Sequence, residues 1–273
     1  DLVCLNQLIN GKENLRFKIY KKPKLSLQGN VHGSGCVFSS AIAAYLSLGN
    51  SILKSIEKSE HFFDDRFLNF IELPQNGKIL DLTLDQEQIK VINQIKEIYQ
   101  FISSESKFSM LIPEVRMNIS GSLPNATSKE EIAGIEGRIT VVGGYPKASG
   151  EIKFGVSDHT ARLILETKKF DNSINFVLNL KYKSDWVKIL QEKTDLLLQE
   201  IVRTDQPEKI MITEESTMQW LIKKSIKKSG RIPDIIWDKG SVRKEPMIRL
   251  FGKNAEDIVS KLQKITRTIF IEL

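Results

Sequence analysis

Cysteine, histidine and tryptophan are scarce in this 273-residue chain, at two, three and three copies. Two thiols, Cys4 and Cys36, exclude a disulfide framework and a tetrahedral metal site, and their pairing is not expected in a reducing compartment. No apolar run approaches the ~20 residues of a membrane span, and no signal-peptide pattern is present. The expected location is therefore the cytoplasm. There is no internal repeat and no low-complexity tract. A patch of one charge is missing as well. The net charge is +6, but residues 1–76 carry 9 Lys and Arg against 7 Asp and Glu, and residues 77–273 carry 31 against 27. So even a spread excludes a nucleic-acid groove. The densest run, Lys223, Lys224, Lys227 and Lys228, lies on a helix-like segment and reads as a solvated face. A mildly basic chain suits small phosphorylated substrates.

What is present is the composition of a globular protein, 41% hydrophobic and 27% charged, long enough for two modest domains or one large one. The chain starts at Asp1 inside a strand-like run and is read as a fragment. Asp1–Ile9 and Leu15–Tyr20 flank Asn10-Gly11, which predicts a β-hairpin. Val31–Cys36 leads into a small-residue helix over 37–46 that Gly49 ends. A second helix follows Asn50, with Ile52, Ile56 and Phe63 on one face. Residues 64–84 are turn-rich, with Pro74-Gln75-Asn76-Gly77, and place a domain boundary near 75. Asp85–Ser103 repeats Val91, Ile95, Ile98 and Ile102 at helical spacing. The second domain opens with 111–119; strand-like runs at 175–182, 196–202 and 235–237 then alternate with helical segments at 185–193 and 217–229, and the segment 244–250 follows. The last helix starts at Asn254, with Asp257 three residues on and a core face of Ile258, Leu262 and Ile265. This alternation predicts an α/β fold.

The chemistry concentrates in residues 136–162, EGRITVVGGYPKASGEIKFGVSDHTAR. Arg138 leads into the β-branched strand Ile139–Val142, which Gly143-Gly144 and Pro146 break. Lys153–Val156 reads as a returning strand, and Ser157-Asp158 stand where an N-cap belongs before a helix from His159. Helix N–H groups, a guanidinium and an imidazole together make an anion site. Arg138 also fits a surface ion-pair partner, and His159 a capping residue. The turn HGSGC at 32–36 has similar physics, with two glycines before a helix that would favour an anion and activate the Cys36 thiol. It equally fits a tight turn around a small buried cysteine.

Residues 32–49, HGSGCxFSxAIAAYLxLG, resemble the C-terminal signature of the hydroxymethylpyrimidine and hydroxymethylpyrimidine-phosphate kinases, which have the ribokinase fold. Ser34 replaces the usual threonine. The resemblance implies that Gly33, Ser34, Gly35 and Cys36 form the anion hole of phosphoryl transfer from ATP, with Cys36 catalytic. The pyrimidine-binding residues of that family lie upstream of the motif, so kinase activity is expected to be absent from this chain. The second half resembles the ThiN-type thiamine-phosphate synthases, in LIPEVxxNI at 111–119, EGRI at 136–139, FGxSxHxAR at 154–162, and GxxPDxIxDxG through KEPMIR from Gly230 to Arg249. Kinase then synthase is also the order of a known bifunctional fusion.

This second resemblance implies a transferase of thiamine biosynthesis. It would join hydroxymethylpyrimidine diphosphate to hydroxyethylthiazole phosphate and release pyrophosphate, with Arg138 and His159 as the essential pair. Asn118, Ser157 and Asn179 are expected to bind the pyrimidine or a phosphate, and Lys244 with Arg249 the thiazole phosphate. Magnesium is expected with the diphosphate. Asp234, Asp238 and Glu245 are available as ligands, although no spacing singles them out. The implied architecture is the C-terminal part of a ribokinase-like domain at 1–75, a linker and leading helix at 76–107, and a three-layer α/β/α synthase domain similar to class II aldolases at 108–273. Strand edges left open in the first part can pair with a second copy, which makes a homo-oligomer an expectation. Glu214–Trp220, Val202–Pro207 and Arg243 depart from the synthase pattern. Relatives that lost catalytic residues act as thiamine-phosphate sensors, the rival reading.

Overall fold

The computed structural model describes residues 2–9, 12–21, 30–66, 69–74, 77–202, 214–241 and 244–271. The chain divides into two compact units, Asp1–Thr83 and Leu84–Leu273. In the first, strands β1 (Leu2–Ile9) and β2 (Lys12–Ile19) pair antiparallel from Leu2↔Ile19 to Ile9↔Lys12, the hairpin expected around Asn10-Gly11. β3 (Asn30–His32) enters helix α1 (Ser34–Ser47), and α2 (Ile52–Arg66) follows. On α2 Ile56 is buried, but Ile52 is exposed, while Phe63 meets Phe38 of α1 edge-on at 5.9 Å. The turn-rich stretch holds two strands not expected from it, β4 (Phe70–Leu73) and β5 (Gly77–Leu80). They form a sheet ordered β3-β5-β4. Because β5 belongs to that sheet, the first unit ends at Thr83 rather than near 75.

The second unit opens with α3 (Gln86–Ser103). Its N-cap Asp85 accepts the Gln88 N–H at 2.8 Å while Gln88 Oε1 accepts the Asp85 N–H at 3.0 Å. Two orphan donors are thereby satisfied reciprocally, and the helix start is fixed. A 3-10 turn at Ser106–Leu111 leads to β6 (Ile119–Ser122) and β7 (Ile132–Ile135). A ribbon of β8 (Ile139–Val142) and β9 (Tyr145–Ala148) follows, then β10 (Ile152–Phe154) and α4 (His159–Lys168). The remaining elements are β11 (Phe176–Lys181), α5 (Ser184–Lys193), β12 (Leu198–Glu200), α6 (Glu214–Ser229), β13 (Ile235–Asp238), β14 (Met247–Gly252) and α7 (Ala255–Ile271).

Seven strands form one sheet in the order β10-β7-β6-β11-β14-β13-β12. All neighbours are antiparallel except β12 and β13. Side chains alternate across it with the period of two that a strand imposes. Phe176, Leu178 and Leu180 of β11 and Ile248 and Leu250 of β14 pack beneath the apolar stripes of α3, α5 and α7. The intervening Val177 and Phe251 pack with Ile164 of α4 and Leu221 of α6. Two clusters on opposite faces make a three-layer α/β/α arrangement. Gly121 permits part of it, since a Cβ there would lie 2.4 Å from the ring of Phe176 on the neighbouring strand.

The ribbon corrects one expectation. Gly143 and Gly144, at φ 59° and 82°, supply the two left-handed positions of a two-residue hairpin, so β8 turns straight into β9 and Val142 pairs with Tyr145. Pro146 sits within β9 instead of ending it, because both strands of a two-stranded ribbon are edges and one can spare an N–H. The segment expected to return onto β8 pairs instead with β7, as β10. Residues 203–213 and Arg243, where the sequence departs from the synthase pattern, lie outside the described residues, as do the side chains of Glu214–Met218. Among the described residues no helix is long and apolar enough to cross a membrane.

Candidate active site

On the α4 and α6 side of the sheet the apolar face gives way to small and polar residues. Ser120 of β6, Gly134 of β7, Asn179 of β11 and Arg249 of β14 occupy positions whose neighbours along each strand point into the opposite core. Above them a cavity of about 720 Å³ opens. Its wall includes Arg138, His159, Asn118, Ser157, Asn179, Lys244 and Arg249, the seven site residues expected in this half of the chain. They come from five stretches spread over 132 positions and meet only through the sheet. Gly33, Ser34, Gly35 and Cys36 belong to the first unit. Gly33 caps α1 at φ 76°, and Cys36 is exposed, which removes the reading of a buried cysteine.

His159 is the first residue of α4, where the helix leaves its N–H groups unsatisfied. The N-cap position falls on Asp158, but its side chain caps nothing. Instead the carboxylate accepts from Lys129 and from Arg162 Nε at 3.2 Å, and the Lys129 hydrogen bond holds its pKa below the usual carboxylate value. The helix start is tied down by Ser157. Its hydroxyl, with those of Ser120 and Thr160, forms a closed buried triangle with edges of 2.9, 2.7 and 2.7 Å. Three hydroxyls in a ring satisfy one another's donors and acceptors. Ser157 therefore anchors α4 to β6.

Asn179 is committed in the same way. Its Oδ1 accepts the Asn118 N–H at 2.8 Å and its Nδ2 donates to the Arg116 carbonyl at 2.9 Å, so it fastens segment 116–118 to β11. Asn118 Oδ1 accepts the Ile135 N–H at 3.0 Å, and its Nδ2 is left for a ligand. On the floor, Arg249 Nη1 donates to Asp238 Oδ2 at 2.7 Å, with both side chains buried. Lys244 lines the cavity beside this pair.

The three carboxylates considered for magnesium are all in structural use. Asp238 also accepts the Gly240 N–H at 2.9 Å, and Asp234 accepts the Leu197 N–H and the Lys261 ammonium. Glu245 Oε1 and Oε2 accept the N–H groups of Glu114 and Val115, at 2.9 and 3.1 Å. Among the described residues no three His, Cys, Asp or Glu side chains cluster as ligands. Among the described residues, then, each of the three carboxylates already has a protein partner, and any magnesium ion would be held chiefly by the diphosphate.

Arg138 stands at φ 68°, as does Arg116, and these are the two non-glycine residues with positive φ among those described. Each such residue costs about 1–3 kcal/mol, a strain that folded proteins retain where geometry matters to function. Arg138 Nη1 donates to the Val115 carbonyl at 2.7 Å, which points the guanidinium along the cavity wall. Among the described residues Arg138 has no acidic partner, which does not support the surface ion-pair reading. Arg116 and Thr160 line the cavity without having been singled out from the sequence, and Glu245, considered only as a metal ligand, lines it too. Arg116 falls on an unspecified position of LIPEVxxNI, and neither its φ nor the partners of Glu245 leave a local signal.

The comparisons with known proteins agree with this geometry. Residues 94–264 match the family Thiamine-phosphate synthase ThiN, and residues 5–78 match Phosphomethylpyrimidine kinase. The chain is 33% identical over 271 residues to the bifunctional thiamine biosynthesis protein ThiDN of Methanocaldococcus jannaschii, covering 96% of this chain and 62% of that protein. The thiamine-phosphate synthase ThiN of Methanothermobacter thermautotrophicus is 30% identical over 179 residues, 66% of this chain and 94% of that protein. A crystal structure described as the C-terminal domain of phosphomethylpyrimidine kinase superposes with a TM-score of 0.58 at 34% identity, covering 64% of this chain and 96% of that one. Two expected halves, in the expected order, are thus matched separately. The chain belongs to the ThiN thiamine-phosphate synthase family, its synthase domain preceded by a fragment of a phosphomethylpyrimidine kinase.

Proposed function

We propose that the second unit joins hydroxymethylpyrimidine diphosphate to hydroxyethylthiazole phosphate in the cytoplasm, giving thiamine phosphate and pyrophosphate. The observation that carries this reading is the meeting of Arg138 and His159 in one cavity whose cations outnumber its carboxylates. Arg116, Arg138 and Lys244 line it, besides Arg249 with its Asp238 partner, against Asp158 and Glu245. In the reaction the thiazole nitrogen forms a bond to the pyrimidine methylene carbon. The carbon–oxygen bond to the diphosphate breaks, and both electrons leave with pyrophosphate. Negative charge therefore grows on the departing oxygens, where preorganised donors lower the barrier most. Arg138 presents a fork of N–H groups to those oxygens, and His159 donates to them from the start of α4, where the helix end favours an anion. Lys244 holds the phosphate of the thiazole. Magnesium enters with the diphosphate, since the wall carboxylates are taken.

The test is thiamine phosphate formation from the two precursors by the full chain. His159→Ala is expected to lower kcat about 10²–10⁴-fold, the range for a positioned proton donor, with the thermal melt unchanged. Turnover within threefold of wild type would remove His159 from the mechanism. Absence of turnover in the wild type, together with tight binding of thiamine phosphate, would make the domain a sensor.

For the first unit, the turn from Gly33 to Cys36 is the anion-binding end of a kinase that uses ATP in the intact bifunctional protein. Among the described residues of this unit, the sheet beside it has three short strands, β3, β5 and β4, and the pyrimidine-binding residues of the kinases are expected upstream of the motif. The 273-residue chain by itself is therefore expected not to phosphorylate hydroxymethylpyrimidine phosphate. Transfer of labelled phosphate from ATP would overturn this.

A further inference from the structure

Arg116 and Arg138 are related by an approximate two-fold axis through the bridge between their segments. Each immediately precedes one residue of the antiparallel bridge Met117↔Ile139, closed by N–H···O bonds of 3.1 and 2.7 Å. Each has φ 68°. Each guanidinium crosses to the carbonyl of the residue before the other, Arg138 Nη1 to Val115 at 2.7 Å and Arg116 Nη1 to Gly137 at 3.3 Å. Among the described residues neither guanidinium has an acidic partner. Two like charges lining one cavity repel, and left-handed backbone is disfavoured for arginine, so two costs coincide in this part of the fold.

The surroundings fix the pair. Glu245 grips the N–H of Val115, whose carbonyl holds Arg138, and Asn179 grips the carbonyl of Arg116. Each guanidinium spends one N–H on a carbonyl, leaving the rest of its fork for a ligand. A ligand of high negative charge density relieves the repulsion and fills both forks at once.

We propose that Arg116 and Arg138 form a two-arginine clasp for a diphosphate, with Arg116 a binding residue as direct as Arg138. For the chemistry this rests on the synthase reading, in which the clasp takes the leaving group and Lys244 is left for the monophosphate of the second substrate. For binding alone it rests on the geometry of residues 115–117 and 137–139.

The experiment measures binding of inorganic pyrophosphate to the full chain by titration calorimetry, for wild type, Arg116→Gly and Arg116→Lys, beside thermal melts. Glycine accepts φ 68° freely, so Arg116→Gly is expected to melt no lower than wild type while its Kd for pyrophosphate rises at least tenfold. Arg116→Lys keeps the charge but not the fork, and its Kd is expected to rise severalfold. Wild-type affinity in either variant, or no pyrophosphate binding by the wild type, would overturn the clasp. If Arg116→Gly fails to fold, Arg116→Lys decides alone. Turnover separates the two claims. Weakened pyrophosphate binding in a chain whose wild type makes no thiamine phosphate leaves the clasp standing and removes the synthase reading. Unaltered KM for the pyrimidine diphosphate in an active Arg116→Gly enzyme does the reverse.

Discussion

Arg138→Gly is expected to lower kcat/KM for thiamine phosphate formation by about 10²–10³-fold, equivalent to about 2.7–4 kcal/mol, the range for removing one preorganised donor from developing negative charge. Glycine is the informative replacement. At φ 68° alanine would add backbone strain to the loss of the side chain, whereas glycine adopts this conformation readily and isolates the guanidinium. The lost hydrogen bond to the Val115 carbonyl is exposed and offsets little of that relief. Arg138→Lys keeps a cation but cannot hold that carbonyl and two phosphate oxygens together, so its activity is expected between the two. Steady-state kinetics with a thermal melt of each variant decides the matter. An Arg138→Gly enzyme within threefold of wild type would show that the departing charge is stabilised elsewhere.

Asp238→Ala is expected to have the largest effect on stability. Arg249 and Asp238 face each other at 2.7 Å, with side-chain exposures of 8% and 0%. Truncating the carboxylate takes from the guanidinium in the cavity floor its buried Asp238 partner, and removes the acceptor of the Gly240 N–H as well. Breaking a buried pair from one side costs about 3–5 kcal/mol, because the remaining ion keeps its desolvation penalty without the attraction that offset it. For a domain of this size each kcal/mol shifts Tm by roughly 2–4 °C, so a fall of roughly 6–20 °C is expected. A paired change, Asp238→Leu with Arg249→Met, removes both ions and is expected to recover most of the loss. Denaturant unfolding of the three proteins tests this. A cost below about 1 kcal/mol for Asp238→Ala would mean that water or another cation partner already solvates this corner.

Much of the architecture was legible because it is written in neighbouring residues. Helices α3 and α7 carry their apolar stripes at 3.6-residue spacing, and their starts at Asp85 and Asn254 are decided within four positions. The hairpin around Asn10-Gly11 is local in the same sense. Arg138 and His159 stood out through motifs of four and nine residues.

What the tertiary structure decided was the use of the polar groups. Asn179 and Ser157, expected from the sequence to meet substrate, also hold the cavity's walls, through partners Asn118 and Ser120 that lie 61 and 37 residues away. Glu245 looked like a metal ligand, but it clamps a turn 130 residues distant. Pro146 read as a strand breaker, and only the pairing of two edge strands shows that it can be spared an N–H. Composition, caps and periodicity act over a turn or two of chain. Which hydrogen bond a side chain makes, and hence whether it builds the site or works in it, depends on which strands the sheet sets side by side.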